Sequence, residues 1–233
     1  MHAAFCTHTG TEQQGDFNGL LLTVCIIMTA QASGGMLNPA VSLGVLVSGE
    51  MPGLRFLLYS IAQCFGAILA ALVAWAVFIE QDPVNRSWSR PDLQWGDDNM
   101  GPGCRASLPT IAYGPTFVYE LIGTFVLVST VLASAVAKPG LGDLAPFAIG
   151  LAIFVAVGAC GTVTGGFFNP ARFLGPALVF GCNLRLIWLY WLAQFTGGTL
   201  AGLMHRFVFE PARTSTDSQL LAKGIELATL PGQ

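Results

Sequence analysis

Two ten-residue stretches constrain this chain more than anything else in it: SGGMLNPAVS, residues 33–42, and TGGFFNPARF, residues 164–173. A single shift of 131 positions superposes them and carries other residues along, Tyr59 onto Tyr190, Gln63 onto Gln194, and Gly19 and Leu20 onto Gly150 and Leu151. Such self-similarity is an internal duplication, so the fold must hold two copies of one substructure. In each copy asparagine precedes proline at the start of an apolar run. Asparagine caps a helix N-terminus, and proline fits the first helical position, where its missing N–H would have had no partner. The two runs hold only about 10 to 12 apolar residues, too few to cross a hydrocarbon layer roughly 30 Å thick, and they predict re-entrant half-helices over roughly 38–48 and 169–180.

The rest of the chain says what those half-helices re-enter. Hydrophobic residues make up 53% of it, charged residues 10%, and the mean hydropathy is +0.63, which excludes an ordinary soluble domain. Spans are predicted over roughly 17–33, 54–79, 114–137, 144–163 and 186–209. The expected organisation is therefore a polar N-terminal segment (1–16), a membrane domain (17–209) and a soluble tail (210–233), with an exposed loop over 80–112. A formal charge of -3 gives no reason to expect a nucleic acid partner. The six cysteines form no CxxC pair and fall mostly in apolar segments, so they read as small hydrophobes without a disulfide framework. His2, His8 and His205 have no ligand spacing. With no nucleophile–base pair, phosphate loop or metal cluster in sight, the sequence predicts neither an enzyme nor a cofactor or metal site.

The duplication also has a gap. Glu120 lies in the apolar stretch YELIGTFVLV, and its repeat mate would fall before residue 1. The first half is therefore expected to lack its first transmembrane helix, and the chain reads as N-terminally shortened, since residues 1–16 are too polar to supply a span and carry no signal-peptide pattern. With three spans per half the two copies insert in opposite senses, which brings the half-helices together near the bilayer midplane.

A helix that begins inside hydrocarbon is tolerated only where its end meets a polar cavity. Two such ends bring together backbone amides, positive dipole ends and the carboxamides of Asn38 and Asn169. Cations are repelled, whereas neutral molecules accept hydrogen bonds, so the expected result is a passage for small neutral solutes that interrupts proton hopping. Val41 and Arg172 are repeat mates. A mid-membrane arginine costs about 2.5 to 3.5 kcal/mol and needs a cavity, which predicts a second cationic barrier at Arg172 alone. Glu120 is expected to be structural, accepting hydrogen bonds from the loop before the second half-helix. Gly34, Gly35, Gly165 and Gly166 suit extended backbone beside the cavity, and Gly66, Ala67, Gly123, Gly197 and Gly198 suit close helix packing.

Two Asn-Pro-Ala boxes, Asn38, Pro39, Ala40 and Asn169, Pro170, Ala171, the second extended by Arg172, resemble the aquaporin (major intrinsic protein) family over about 17–209. The wording GDLAPFAIG (142–150) and GLAIFVAV (150–157) most resembles the aquaammoniaporin branch. The resemblance implies an all-α inverted repeat with two re-entrant half-helices, a homotetramer with a pore in every protomer, and an integral, multi-pass location in a plasma or intracellular membrane. Its partners would be water, other small neutral solutes and the lipid bilayer. Carried over by spacing from the boxes, its selectivity filter falls on Asn18, Val157, Gly166 and Arg172. Asn18 departs from both the phenylalanine usual in strict water channels and the histidine frequent in ammonia-permeable ones, and with Val157 and Gly166 small a wider, less apolar filter is expected. Phe173, where aquaglyceroporins commonly carry aspartate, argues against glycerol, and Phe168 is a candidate to narrow the opening.

The implied function is a passive channel for water, with ammonia and hydrogen peroxide as further solutes. The alternative is a non-conducting shortened subunit that modulates full-length aquaporin assembly. Charge does not orient the chain, because in the arrangement the resemblance implies Arg55, Lys138, Arg206, Arg213 and Lys223 on the inner side balance Arg86, Arg90, Arg105, Arg172 and Arg185 on the outer. The glycosylation tripeptide Asn85, Arg86, Ser87 agrees with an outward loop.

Overall fold

A computed structural model describes residues 11–77, 80–81, 88–89, 103–104 and 112–209. The terminal segments and the glycosylation tripeptide lie outside the described residues. The chain runs through α1 (Thr11–Ser33), the short α2 (Pro39–Ser48), α3 (Gly53–Val77), α4 (Tyr113–Val131), α5 (Ala145–Thr164), the short α6 (Pro170–Phe180) and α7 (Ile187–Met204). A π-helical turn extends α4 over Leu132–Val136 and another extends α7 over His205–Phe209. The strand structure described is one antiparallel ladder of two residues a side, β1 (Glu80–Gln81) on β2 (Trp88–Ser89). Helices dominate because in lipid each backbone donor must find its acceptor within its own segment.

Three segments are long and apolar enough to cross a membrane by length and composition, Gly53–Val77, Tyr113–Val136 and Gly142–Thr164; the apolar stretches Asn18–Ser33 and Pro39–Ser48 are shorter. Their outward faces are greasy: Leu54, Leu58, Ile61 and Phe65 on α3 and Leu151 on α5 are exposed, as suits a surface whose solvent is hydrocarbon. The interior cluster joins Ile26 of α1, Val41 and Val45 of α2, Leu127 and Val128 of α4, and Ile149, Ile153 and Val157 of α5.

The packing follows the duplication. Helix α1 lies on α5, α2 on α7, and α3 on α6. Exchanging the halves maps the first pairing onto itself and the second onto the third, so the two copies are related by an approximate two-fold axis. Residues Gly19 and Gly150 mark the crossing of α1 and α5: a Cβ on Gly19 would sit 2.5 Å from the Gly150 carbonyl oxygen, and one on Gly150 would sit 2.7 Å from that of Gly19. Helix α4, by contrast, packs on α5 and α7 without a mate among the described residues. Gly197 of α7 shows the difference, since a Cβ there would meet the Leu121 carbonyl oxygen of α4 at 2.5 Å, whereas one on its repeat mate Gly66 would have no atom of the described residues within 4 Å.

One expectation is corrected. Cys104 and Cys182 form a disulfide, with Cα atoms 5.7 Å apart. Gly181, in the left-handed region at φ 74°, ends α6 and turns Cys182 off the helix. The bonded pair is buried with Ala71 and Ala74 at the end of α3 and Phe180 of α6, and Asn183 Nδ2 donates to the Cys104 carbonyl. Reading the cysteines as small hydrophobes failed here because the two partners are 78 positions apart and meet only once α6 and α3 pack. Cys25, Cys64 and Cys160 are free thiols.

Candidate functional site

Both half-helices are bounded as their sequences dictate. Asn38 and Asn169 have extended backbones (φ -148° and -153°), a proline follows each, and α2 and α6 end at Gly49 and Gly181 in the left-handed conformation that glycine adopts without a Cβ clash. The Asn38 Oδ1 accepts from the Ala40 N–H at 2.9 Å, and the Asn169 Oδ1 accepts from the N–H groups of Ala171 and Arg172 at 3.0 and 3.2 Å.

The amide nitrogens of the same side chains reach across the two-fold axis. Asn38 Nδ2 donates to the Phe168 carbonyl at 2.8 Å, and Asn169 Nδ2 donates to the Leu37 carbonyl at 3.0 Å. Each asparagine thus clamps the residue before the other, and the two helix starts abut. A carboxamide nitrogen carries two hydrogens, so each clamp leaves one donor for a molecule alongside.

That molecule has a place to be. A cavity of about 1170 Å³ runs past both asparagines. Asn18, Val157, Gly166 and Arg172 line it, as do the apolar Val41, Val45, Ile149 and Ile153 and, further along, Glu50, Arg55 and Asp143. The repeat mates Val41 and Arg172 therefore both face the cavity wall, and only one is charged. Arg172 Nη1 donates to the carbonyls of Gly166 at 2.8 Å and Phe167 at 3.3 Å, and its guanidinium carbon lies 4.9 Å from the centre of the Phe167 ring.

Glu120 anchors the loop that supplies those carbonyls. Fully buried, it accepts from the Thr164 hydroxyl (2.7 Å), the Phe167 N–H (3.0 Å), the Phe168 N–H (2.9 Å) and Gln194 Nε2 (2.8 Å). The Tyr190 hydroxyl donates to the Thr164 carbonyl at 2.6 Å. Four donors offset the cost of burying a carboxylate, which in a dry interior is otherwise large. In the first half Gln63, the mate of Gln194, instead donates to the Met36 carbonyl and the Ser42 hydroxyl, both at 3.0 Å.

A family model described as Major intrinsic protein matches residues 8–205. The chain belongs to the major intrinsic protein family. It is 39% identical over 190 residues to the probable aquaporin TIP2-2 of Arabidopsis thaliana, covering 81% of this chain and 68% of that protein. It is 32% identical over 207 residues to aquaporin-8 of Mus musculus, covering 89% and 74%. A solved structure of the aquaglyceroporin from Plasmodium falciparum aligns with a TM-score of 0.72 at 22% identity, over 90% of this chain and 89% of that one, which shows the shared fold. This family member is an integral membrane protein of the channel-forming aquaporin class.

Within the major intrinsic protein fold the four filter positions carried over from the boxes share one cavity. Asn18 and Val157 are buried. Gly166, at φ +57°, disfavours any side chain, since the backbone would be strained and a Cβ would meet the Gly161 and Val157 Cα atoms at a tight 3.3 Å. Phe168 does not narrow the opening. Its backbone φ of 49° turns the ring toward α4, into a notch left by Gly123, where any Cβ would overlap it, and it is wholly buried away from the cavity. Of the adjacent pair, Phe167 is the residue that lines the cavity, while its ring packs in a buried cluster with Phe173 and Tyr190. Sequence reasoning missed Phe167, Thr164 and the use made of Tyr190 and Gln194, although the last two were marked as repeat mates of Tyr59 and Gln63.

Proposed function

We propose that this chain is a passive single-file channel for water that excludes protons and ions, with ammonia and hydrogen peroxide as further solutes. The reading rests on one observation: Asn38 and Asn169, each capping a half-helix, clamp each other's loops beside a continuous cavity. Taken as about half a charge each, the two helix ends oppose a cation about 4 Å away by about 4 kcal/mol at an effective dielectric near 20. Arg172 adds a full charge on the same path. A water molecule pays no such penalty and gains a donor from each carboxamide. The small Val157 and Gly166 and the polar Asn18 support passage of solutes somewhat larger or more polar than water. Each protomer would carry its own pore in a homotetramer, for which the apolar outer faces of the spans provide surface.

The test is reconstitution in vesicles followed by osmotic shrinkage under stopped flow. Water flux well above protein-free vesicles, with proton permeability at background, is the expected result. Folded, inserted protein that passes no water would overturn the reading.

A second reading, a non-conducting subunit that assembles with other aquaporin subunits and impairs them, draws on the surface around Gly66, which no described residue covers where Gly197 faces α4. Co-reconstitution with a conducting aquaporin separates the two, because only the second reading expects water flux to fall as this chain is added.

A further inference from the structure

We infer that Phe167 belongs to the constriction as a positioning and specificity-determining residue that holds the Arg172 guanidinium by its ring face. The inference rests on the channel reading. Three independent features fix the ring. Its neighbours are aromatic: Phe173 lies edge-on at 4.8 Å and Tyr190 edge-on at 5.4 Å, and those two rings stack on each other at 4.2 Å. Its own backbone is held at both ends, the N–H donating to Glu120 and the carbonyl accepting from Arg172. Its residue lines the cavity with Asn18, Val157, Gly166 and Arg172.

The duplication makes the pairing specific. The mate of Phe167 is Met36, and the mate of Arg172 is Val41; all four line the cavity. At this repeat position, therefore, a rigid ring stands only in the half that carries the cation. A guanidinium over a ring face is held by the ring's quadrupole, and the attraction strengthens where water is excluded. The carbonyls of Gly166 and Phe167 fix one edge of the guanidinium, and the ring limits its swing into the lumen. Removing the ring face while keeping bulk should free Arg172, so that larger polar solutes and small cations pass more easily while water passes much as before.

The experiment compares wild type, Phe167→Leu, Phe167→Tyr and Phe173→Leu in vesicles, reading water, glycerol and methylammonium flux on each preparation. Phe167→Met, which installs the residue of the repeat mate, stands in if Phe167→Leu fails to insert. A lost cation–π contact of about 1 kcal/mol corresponds to about a fivefold rise in glycerol and methylammonium flux relative to water for Phe167→Leu or Phe167→Met. Phe167→Tyr should keep wild-type ratios, because the ring face remains. Phe173→Leu, which opens the same aromatic cluster at a residue that does not line the cavity, should leave the ratios within about twofold, since the ring over Arg172 remains. Unchanged ratios in Phe167→Leu or its stand-in Phe167→Met, a shift in Phe167→Tyr as large as theirs, or an equal shift in Phe173→Leu overturns the assignment and leaves the channel reading standing. A folded wild type that passes no water removes both.

Discussion

Glu120 does the most for the site without itself lining the cavity. Its two oxygens take four donors, two of them the N–H groups of Phe167 and Phe168, whose carbonyls then receive Arg172 and Asn38. Replacing it with alanine strands those donors in the interior, at about 1 to 3 kcal/mol for each one left unsatisfied. Glu120→Ala should therefore lower thermal stability in detergent sharply, and Gln194→Ala, which removes one donor of the four, should lower it much less. The filter gives two further predictions. Arg172→Val, which copies the mate Val41, should raise cation or proton leak by at least about tenfold, given an electrostatic barrier of a few kcal/mol. Unchanged leak in a conducting protein would show that the barrier lies elsewhere. Asn18→Phe should cut ammonia or peroxide flux more than water flux, and an equal loss of all three would remove Asn18 from the filter. The adjacent pair Phe167 and Phe168 shows why side chains at this scale resist reading from sequence. Which residue of the pair lines the cavity turns on a positive φ at Phe168, a conformation that phenylalanine rarely adopts and no neighbouring residue announces.

Among elements, the half-helices were the most legible. Asn-Pro opens each and a left-handed glycine closes each, so both boundaries carry local chemistry that a composition profile alone would miss. Their meeting could also be argued, because a duplicated half-helix in lipid has few places to put its start. The clamp between them could not, since Asn38 Nδ2 and Asn169 Nδ2 bond to carbonyls of apolar residues whose identity is irrelevant to the bond. The π-helical turns after α4 and α7 left no trace in hydropathy, because one extra residue in a turn does not change composition. The crossing of α1 and α5 was marked by a repeat-matched glycine pair, but its closeness emerges only from the packing. Gly150→Val should wedge the two helices apart, costing about 1 to 3 kcal/mol as an overpacked contact does, and should show as a lowered melting temperature. Valine at the outward Gly66 should not.

For the molecule as a whole, duplication governs what could be foreseen and what could not. Features that obey the two-fold relation, the paired helices and the paired asparagines, were visible as repeated residues. Features that break it, Arg172, Phe167 and the Cys104–Cys182 bond, carry much of the site's individuality. The disulfide closes a sequence separation of 78 residues, and by loop-closure arguments its removal costs about 4 kcal/mol. Cys104→Ser and Cys182→Ser should lower the melting temperature alike, with the double variant no worse than either; a further drop in the double variant would mean that the cysteines contribute separately. The same sulfur pair supplies the compass that ten evenly divided basic residues withheld. Disulfides persist away from the thiol-reducing cytosol, so the far tip of α6 and the start of α7 look into an oxidising compartment. The span predicted over 186–209 would then carry the chain's last described turn, His205–Phe209, to the opposite, cytosolic face.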